Sequence, residues 1–165
     1  MNHTKWTILN VGALILALTF FACGCGTARP KPQPWNISVT KTTPASIRVD
    51  LIGVPDADMP AWESYNMDDY WKDGDPRRRE ADKLEQTLQT DQPWVIPNTD
   101  PKWNEWLDRG ATELLIIADL PGHFEPGSGD PRRLFISLDK HAWKGDTLII
   151  EVQDTIINNL TPSRK

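Results

Sequence analysis

The sequence predicts a mainly β protein: an antiparallel β-sandwich with one or two helices inserted in a long crossover. Three observations lead there. β-branched and apolar residues alternate with polar ones early, at residues 37–52, and the last third of the chain, residues 113–157, is again rich in strand signals. That period-two pattern marks half-buried strands. Strand signals outnumber helix signals, and no regular βαβ alternation is present.

Taken in order, Ile37 and Val39 alternate with polar neighbours, and Ile47, Val49 and Leu51 alternate with Arg48, Asp50 and Ile52. Pro44 separates these two strands, which either form a hairpin or enter different sheets. Turn residues at 53–60 close the second strand. Asp75-Pro76 is a helix start, with Asp as N-cap and Pro in the first turn. The spacing of Ala81, Leu84 and Leu88 predicts a helix over residues 76–89 with one narrow apolar face. A second short helix is predicted from Asp100-Pro101 to Gly110, with Trp103 and Leu107 on one side and Trp106 beside them. The unbroken run Leu114-Leu115-Ile116-Ile117-Ala118 predicts a central strand buried on both faces. Residues 121–131 form a Gly/Pro loop. Leu134, Ile136 and Leu138 give the next strand, and Gly145-Asp146 turns into a strand at residues 147–152. Residues 155–157 are expected to continue it past a bulge. The total is about six to eight strands, within the range of small sandwiches.

Ahead of these elements lies a leader. Residues 1–5 carry one charged side chain, Lys5, and residues 6–21 are apolar except for Thr7, Asn10 and Thr19. Ala22-Cys23-Gly24-Cys25-Gly26 follows, and the composition then turns polar and proline-rich. Charged start, short apolar run and small boundary residues are the pattern of an export signal. The apolar run is short for a spanning helix, which needs roughly 20 residues. A small residue directly before a cysteine resembles a lipobox, in which that cysteine receives lipid and becomes the new N-terminus. Cys23 is preferred because it directly follows the apolar run, and Cys25 is the alternative. An ordinary signal cut near Ala28 and an uncleaved anchor are the competing readings.

The organisation expected is a signal peptide at 1–22, a lipidated cysteine and Pro-rich tether at 23–35, and a sandwich domain at 36–160. Alternating prolines in the tether favour an extended spacer, with a junction lacking any spacing role as the other reading. The glycine after either cysteine, in place of the aspartate associated with inner-membrane retention in enterobacteria, points to the outer membrane, facing the periplasm. The 165-residue chain has only two cysteines, both in this boundary, so the exported domain holds neither an internal disulfide nor a cysteine metal site. About 140 residues remain, enough for one domain with its own apolar core.

The formal net charge of −5 and the absence of a basic patch argue against nucleic acid as a partner. Catalytic signals are weak: of three histidines, His3 belongs to the leader, while His123 and His141 lie in loops. No nucleophile elbow, zinc-protease or phosphate-loop motif occurs, so no enzyme activity and no cofactor are expected. The spacing of Asp69, Asp73, Gly74 and Glu80 matches a calcium loop. Yet Trp71 occupies a ligand position and Arg77, Arg78 and Arg79 oppose a cation, so a turn and helix cap is the better reading and no metal site is assigned. Asp-Pro-Arg-Arg occurs twice, at residues 75–78 and 130–133, too short to count as a repeat.

The best candidate for recognition is the aromatic group Trp62, Tyr65, Tyr70 and Trp71 in the long connection after the second strand. Aromatic loop residues offer large contact area at low entropic cost and dominate interface hot spots. They would serve a protein partner or, as an alternative, stack on sugar rings. The competing structural reading is that they roof the core. A hydrolase using acidic residues is a third reading, without identifiable catalytic groups.

Several of these features together resemble the outer-membrane lipoproteins of type VI secretion systems. The matching pieces are the lipobox, Ser46-Ile47-Arg48-Val49-Asp50-Leu51, and residues 113–121, followed by Arg132-Arg133-Leu134 leading into Ile136, with Trp143 before a final β segment. The segment at 62–71 departs from that pattern. The resemblance implies a transthyretin-like sandwich with added helices, tethered by an N-terminal lipid and binding an inner-membrane channel protein in the periplasm. It implies a non-enzymatic scaffold or assembly component, with Cys23 (or Cys25) as the only functional residue carried over.

Overall fold

In a computed structural model, which describes residues 31–124 and 129–164, two four-stranded sheets face each other. The leader, its cysteines and most of the tether lie outside the described residues. The strands are β1 (Asn36–Lys41), β2 (Ile47–Pro55), β3 (Lys83–Leu88), β4 (Trp94–Ile96), β5 (Ala111–Ala118), β6 (Arg133–Ser137), β7 (Thr147–Val152) and β8 (Ile157–Asn159). One sheet runs β4-β1-β7-β8 and the other β3-β2-β5-β6. The expected β-sandwich is therefore present, and β1 and β2 enter different sheets. Pairing is antiparallel throughout except between β1 and β7, which run parallel.

Alternation dictates which side chains meet between the sheets. Ile37, Val39, Leu148, Ile150 and Val152 from one sheet pack against Ile47, Val49, Leu51, Leu114, Ile116 and Ile136 from the other. Helix α4 (Lys102–Asp108) closes one end with Trp103 and Trp106, each 1% exposed. Asp100 accepts the Lys102 amide at 2.9 Å, and Gly110, at φ 83°, ends the helix in the left-handed region. The buried indoles satisfy their donors on carbonyls, Trp103 on Pro97 at 3.2 Å and Trp106 on Asp82 at 2.9 Å. A Cβ on Gly53 would stand 2.4 Å from the Trp106 ring, so only glycine lets β2 pass there.

Two expectations are corrected. The helix from Pro76 stops at Glu80, and residues 83–88 form β3 instead. Leu84 and Leu88 are four apart, a spacing that keeps one face in a strand as well as in a helix. Pairing with Leu51 and Ile47 of β2 decides in favour of the strand. Residues 157–159 do not prolong β7 but return antiparallel to it, with Val152 opposite Ile157. Packing contacts also reach residues outside 36–160. Trp35 is 1% exposed and donates to the Leu138 carbonyl at 3.1 Å, Lys31 and Gln33 bond to residues 138–140, and Arg164 donates to Ala142.

β5 is buried on both faces, as its apolar run predicts. Its second face is covered by a third layer, helices α1 (Met59–Glu63), α2 (Met67–Tyr70) and α3 (Pro76–Glu80). Trp62, Met67 and Tyr70 from this layer pack on Ile52, Val54, Leu115 and Ile117. Among the described residues, no helix is long and apolar enough to cross a membrane.

Candidate functional site: an aromatic and arginine cap beside an open sheet edge

Each cap helix has no more than five residues, too short to hold together by propensity alone. Local polar groups fix their ends. The Asn66 side chain accepts the Asp68 amide at 2.8 Å, and Asp75 accepts the Arg78 amide at 2.7 Å. These turns bring Trp62, Tyr65, Tyr70 and Trp71 into one edge-to-face chain, with ring centroids 5.2 to 6.5 Å apart.

Expected together as a contact surface, the four aromatics divide. Tyr70 is fully buried and Trp62 is 7% exposed, so both roof the second sheet and neither presents a face to a partner or a sugar. Tyr65 and Trp71 are half-buried and form the rim.

Arginine and carboxylate groups hold this roof. Asp50, pointing out of β2 and fully buried, accepts the Tyr70 hydroxyl at 2.8 Å and Arg78 Nε at 2.9 Å. Burial and the Asp50 charge push the Tyr70 phenol far above its ordinary range. Tyr65 donates to Asp75 at 2.6 Å, which raises its phenol to about 12. The Arg77 guanidinium lies 4.0 Å from the Trp62 ring centroid, and Arg48 and Arg78 lie 4.8 and 4.7 Å from that of Trp71.

From the other side, buried Arg132 is fastened to Asp130, with Nη2 2.7 Å from Oδ2, and also reaches Asp68. The Arg132 bond, and behind it that of His123 at 2.7 Å, hold the Asp68 carboxyl below its usual range. Arg133 donates to the Trp62 and Tyr65 carbonyls at 2.9 and 2.7 Å, and its burial lowers its pKa.

The two Asp-Pro-Arg-Arg stretches thus have one destination. Arg77, Arg78, Arg132 and Arg133 all engage residues 62–71 or the carboxylate beneath them. The sequence displayed this motif twice, but only the fold shows that both copies converge. The calcium-like spacing has the other outcome: Asp69 pairs with Lys72 at 2.6 Å and Asp75 caps α3. Among the described residues, no three His, Cys, Asp or Glu side chains are placed to hold a metal ion. His123 and His141 are exposed loop residues.

Beside the cap lies a groove of about 790 Å³ whose lining includes Arg48, Arg78, Glu85, Thr87, Gln92 and Trp94. Arg48 and Arg78 belong to both features, so the Trp71 rim continues into the groove. Both guanidiniums are already neutralised, Arg48 by Asp119 at 2.7 Å and Arg78 by Asp50.

Fold and cap define a two-sheet sandwich with a helical layer over one sheet. No family model and no curated protein sequence matches the chain. Among solved structures, it is similar to the C-terminal domain of the type VI secretion protein TssM from EAEC. The TM-score is 0.52 at 12% identity, over 76% of this chain and 99% of that one. Two others align at lower scores: a type VI membrane complex (TM-score 0.49, 14% identity, 79% and 99% covered) and Serratia marcescens Lip, a membrane-bound component of that system (TM-score 0.45, 13% identity, 77% and 98% covered). The sandwich expected from the sequence is thus a fold shared with the TssM domain.

Proposed function

We propose that this chain is a lipid-anchored envelope protein, a non-enzymatic scaffold or assembly component of a type VI-like secretion complex. The observation that carries the reading is the shared sandwich with the TssM domain, which spans three quarters of the chain. The leader supports it independently, since a lipobox-like boundary at Cys23, with Cys25 as alternative, suits attachment to the outer membrane on its periplasmic side. The protein partner would lie in the envelope and meet the cap at its rim, on Tyr65 and Trp71, with Trp62 and Tyr70 holding these from beneath.

Two measurements test this. Mass spectrometry of the mature N-terminus should find a lipidated cysteine, and an unmodified peptide beginning at Arg29 would refute the anchor. The full-length chain, purified from its native envelope, should bring down an inner-membrane protein. Trp71→Ala should weaken that association by about 2 kcal/mol if the indole is a hot spot. Failure to retain any membrane protein would remove the scaffold reading.

A further inference from the structure

The two long sides of the sandwich are finished differently. On the β6/β8 side the sheets are stitched together: Ile157, opening β8, donates to the Pro131 carbonyl ahead of β6 at 3.1 Å. On the other side both sheets end in strands, β3 and β4, with the groove beside them. Sheet edges invite pairing with other chains, so proteins guard them with prolines, bulges or very short strands. β4 is guarded in this way, having three residues between Pro93 and Pro97. β3 is not: six residues run without proline or bulge, and Glu85, Gln86 and Thr87 are exposed.

Backbone directions on β3 follow from those on β2. Asp119 donates to the Arg48 carbonyl at 2.9 Å, so Arg48 turns its polar backbone toward β5. Its partner across the other ladder, Thr87, therefore belongs to a pair without backbone bonds to β2. By alternation, Lys83, Glu85 and Thr87 direct N–H and C=O away from the sheet. The Thr87 carbonyl is met by the Gln86 side-chain amide at 3.3 Å. No backbone bond to another strand occupies these three residues among the described residues.

We propose that the free edge of β3 binds an extended, nearly uncharged segment of a protein partner by strand addition, a deepening that rests on the scaffold reading above. Strand addition takes affinity from main-chain hydrogen bonds and specificity from flanking side chains. Here the flanking groups are amides and hydroxyls, Gln92, Thr90 and Thr87, with Trp94 as the aromatic contact. Arg48 and Arg78 have their carboxylates already, so nothing selects an acidic segment. A second copy is the other occupant an open edge admits, and self-pairing is an outcome of the test below.

The test uses the full-length chain in detergent and linear peptides selected against it from a random displayed library. Addition of a selected peptide should slow hydrogen exchange at the Lys83, Glu85 and Thr87 amides by about tenfold or more, that is about 1.4 kcal/mol. Thr87→Pro removes an outward N–H that β2 does not use, so it should cost about tenfold in affinity with the melting temperature preserved. Gln86→Pro, whose N–H faces β2, should instead unfold the strand. The proposal is overturned if no peptide is selected, if the slowing falls elsewhere, or if those amides slow with protein concentration alone, which would mean self-pairing. If Thr87→Pro folds and holds its membrane partner as tightly as the unaltered chain does, strand addition fails while the scaffold reading stands. If the unaltered chain retains no such partner, it is the scaffold reading that fails.

Discussion

The second sheet is packed on both faces, and its two faces are held by different physics. The inner face meets the opposite sheet through Val49, Leu51, Leu114 and Ile116, and the buried Lys41 at the end of β1 satisfies its ammonium on the Thr43 carbonyl. The outer face meets the cap through Tyr70, Trp62 and Met67, but also through Asp50, Arg78, Arg132 and Arg133, all with restricted access to water. The inner interface is non-directional and tolerates any well-packed apolar set. The outer one is directional, since each guanidinium has one partner geometry and one side chain removed leaves another stranded. Burial alone does not tell them apart: the same strand, β2, contributes Leu51 and Asp50, both at 0% exposure.

The largest effect should come from the inner face. Ile116→Ala removes a fully buried side chain at the middle of β5 and should lower stability by about 2–5 kcal/mol, read from the denaturant midpoint. The loss should be insensitive to salt and to pH. A loss below about 1 kcal/mol would mean that the sheets do not pack as described.

The second effect tests the cap. Asp50→Ala strands Arg78 and the Tyr70 hydroxyl together, at an expected cost of about 2–3 kcal/mol, moderated because Arg78 keeps some access to water. Tyr70→Phe, which leaves the Asp50–Arg78 pair intact, should cost only about 1 kcal/mol. If both substitutions cost the same, the carboxylate serves the phenol alone and the arginine is incidental.

The same contrast explains what could be read in the sequence. Alternation located β1, β2 and β6, because an apolar face needs only period-two spacing to announce itself, while β5 showed as an unbroken apolar run and β7 as the strand after the Gly145-Asp146 turn. Helix α4 was marked by Asp100-Pro101 and Gly110, which act through their neighbours alone. β3 was hidden because Leu84 and Leu88 fit either period, and its identity rests on β2 lying alongside. The cap was hidden for a similar reason. Trp62, Tyr65, Tyr70 and Trp71 were recognisable as a group, but whether each is roof or rim depends on four arginines, two of them more than 50 residues away in sequence. The groove beside β3 left no trace in composition, since an open edge is a property of strand order.

The smallest effect sharpens the contrast, because titration should reach the outer face and not the inner one. Glu113 sits on the outer face of β5, opposite Ser137 and close to Asp56. Burial pushes its carboxyl from 4.5 up to about 7, with the Ser137 hydroxyl pulling the other way and the Asp56 charge adding to the rise. The sign follows from proton counting. Between those two values the folded chain still holds a proton that the unfolded chain has released, so stability falls as pH rises through the window. Below 4.5 both states are protonated and the burden vanishes. Glu113→Gln keeps a neutral side chain at every pH. Its melting temperature should match that of the unaltered chain near about pH 4 and exceed it by a few °C near about pH 8. Two melting curves that stay parallel across this range would show that Glu113 reaches water after all, and that the outer face ends short of the end of β5.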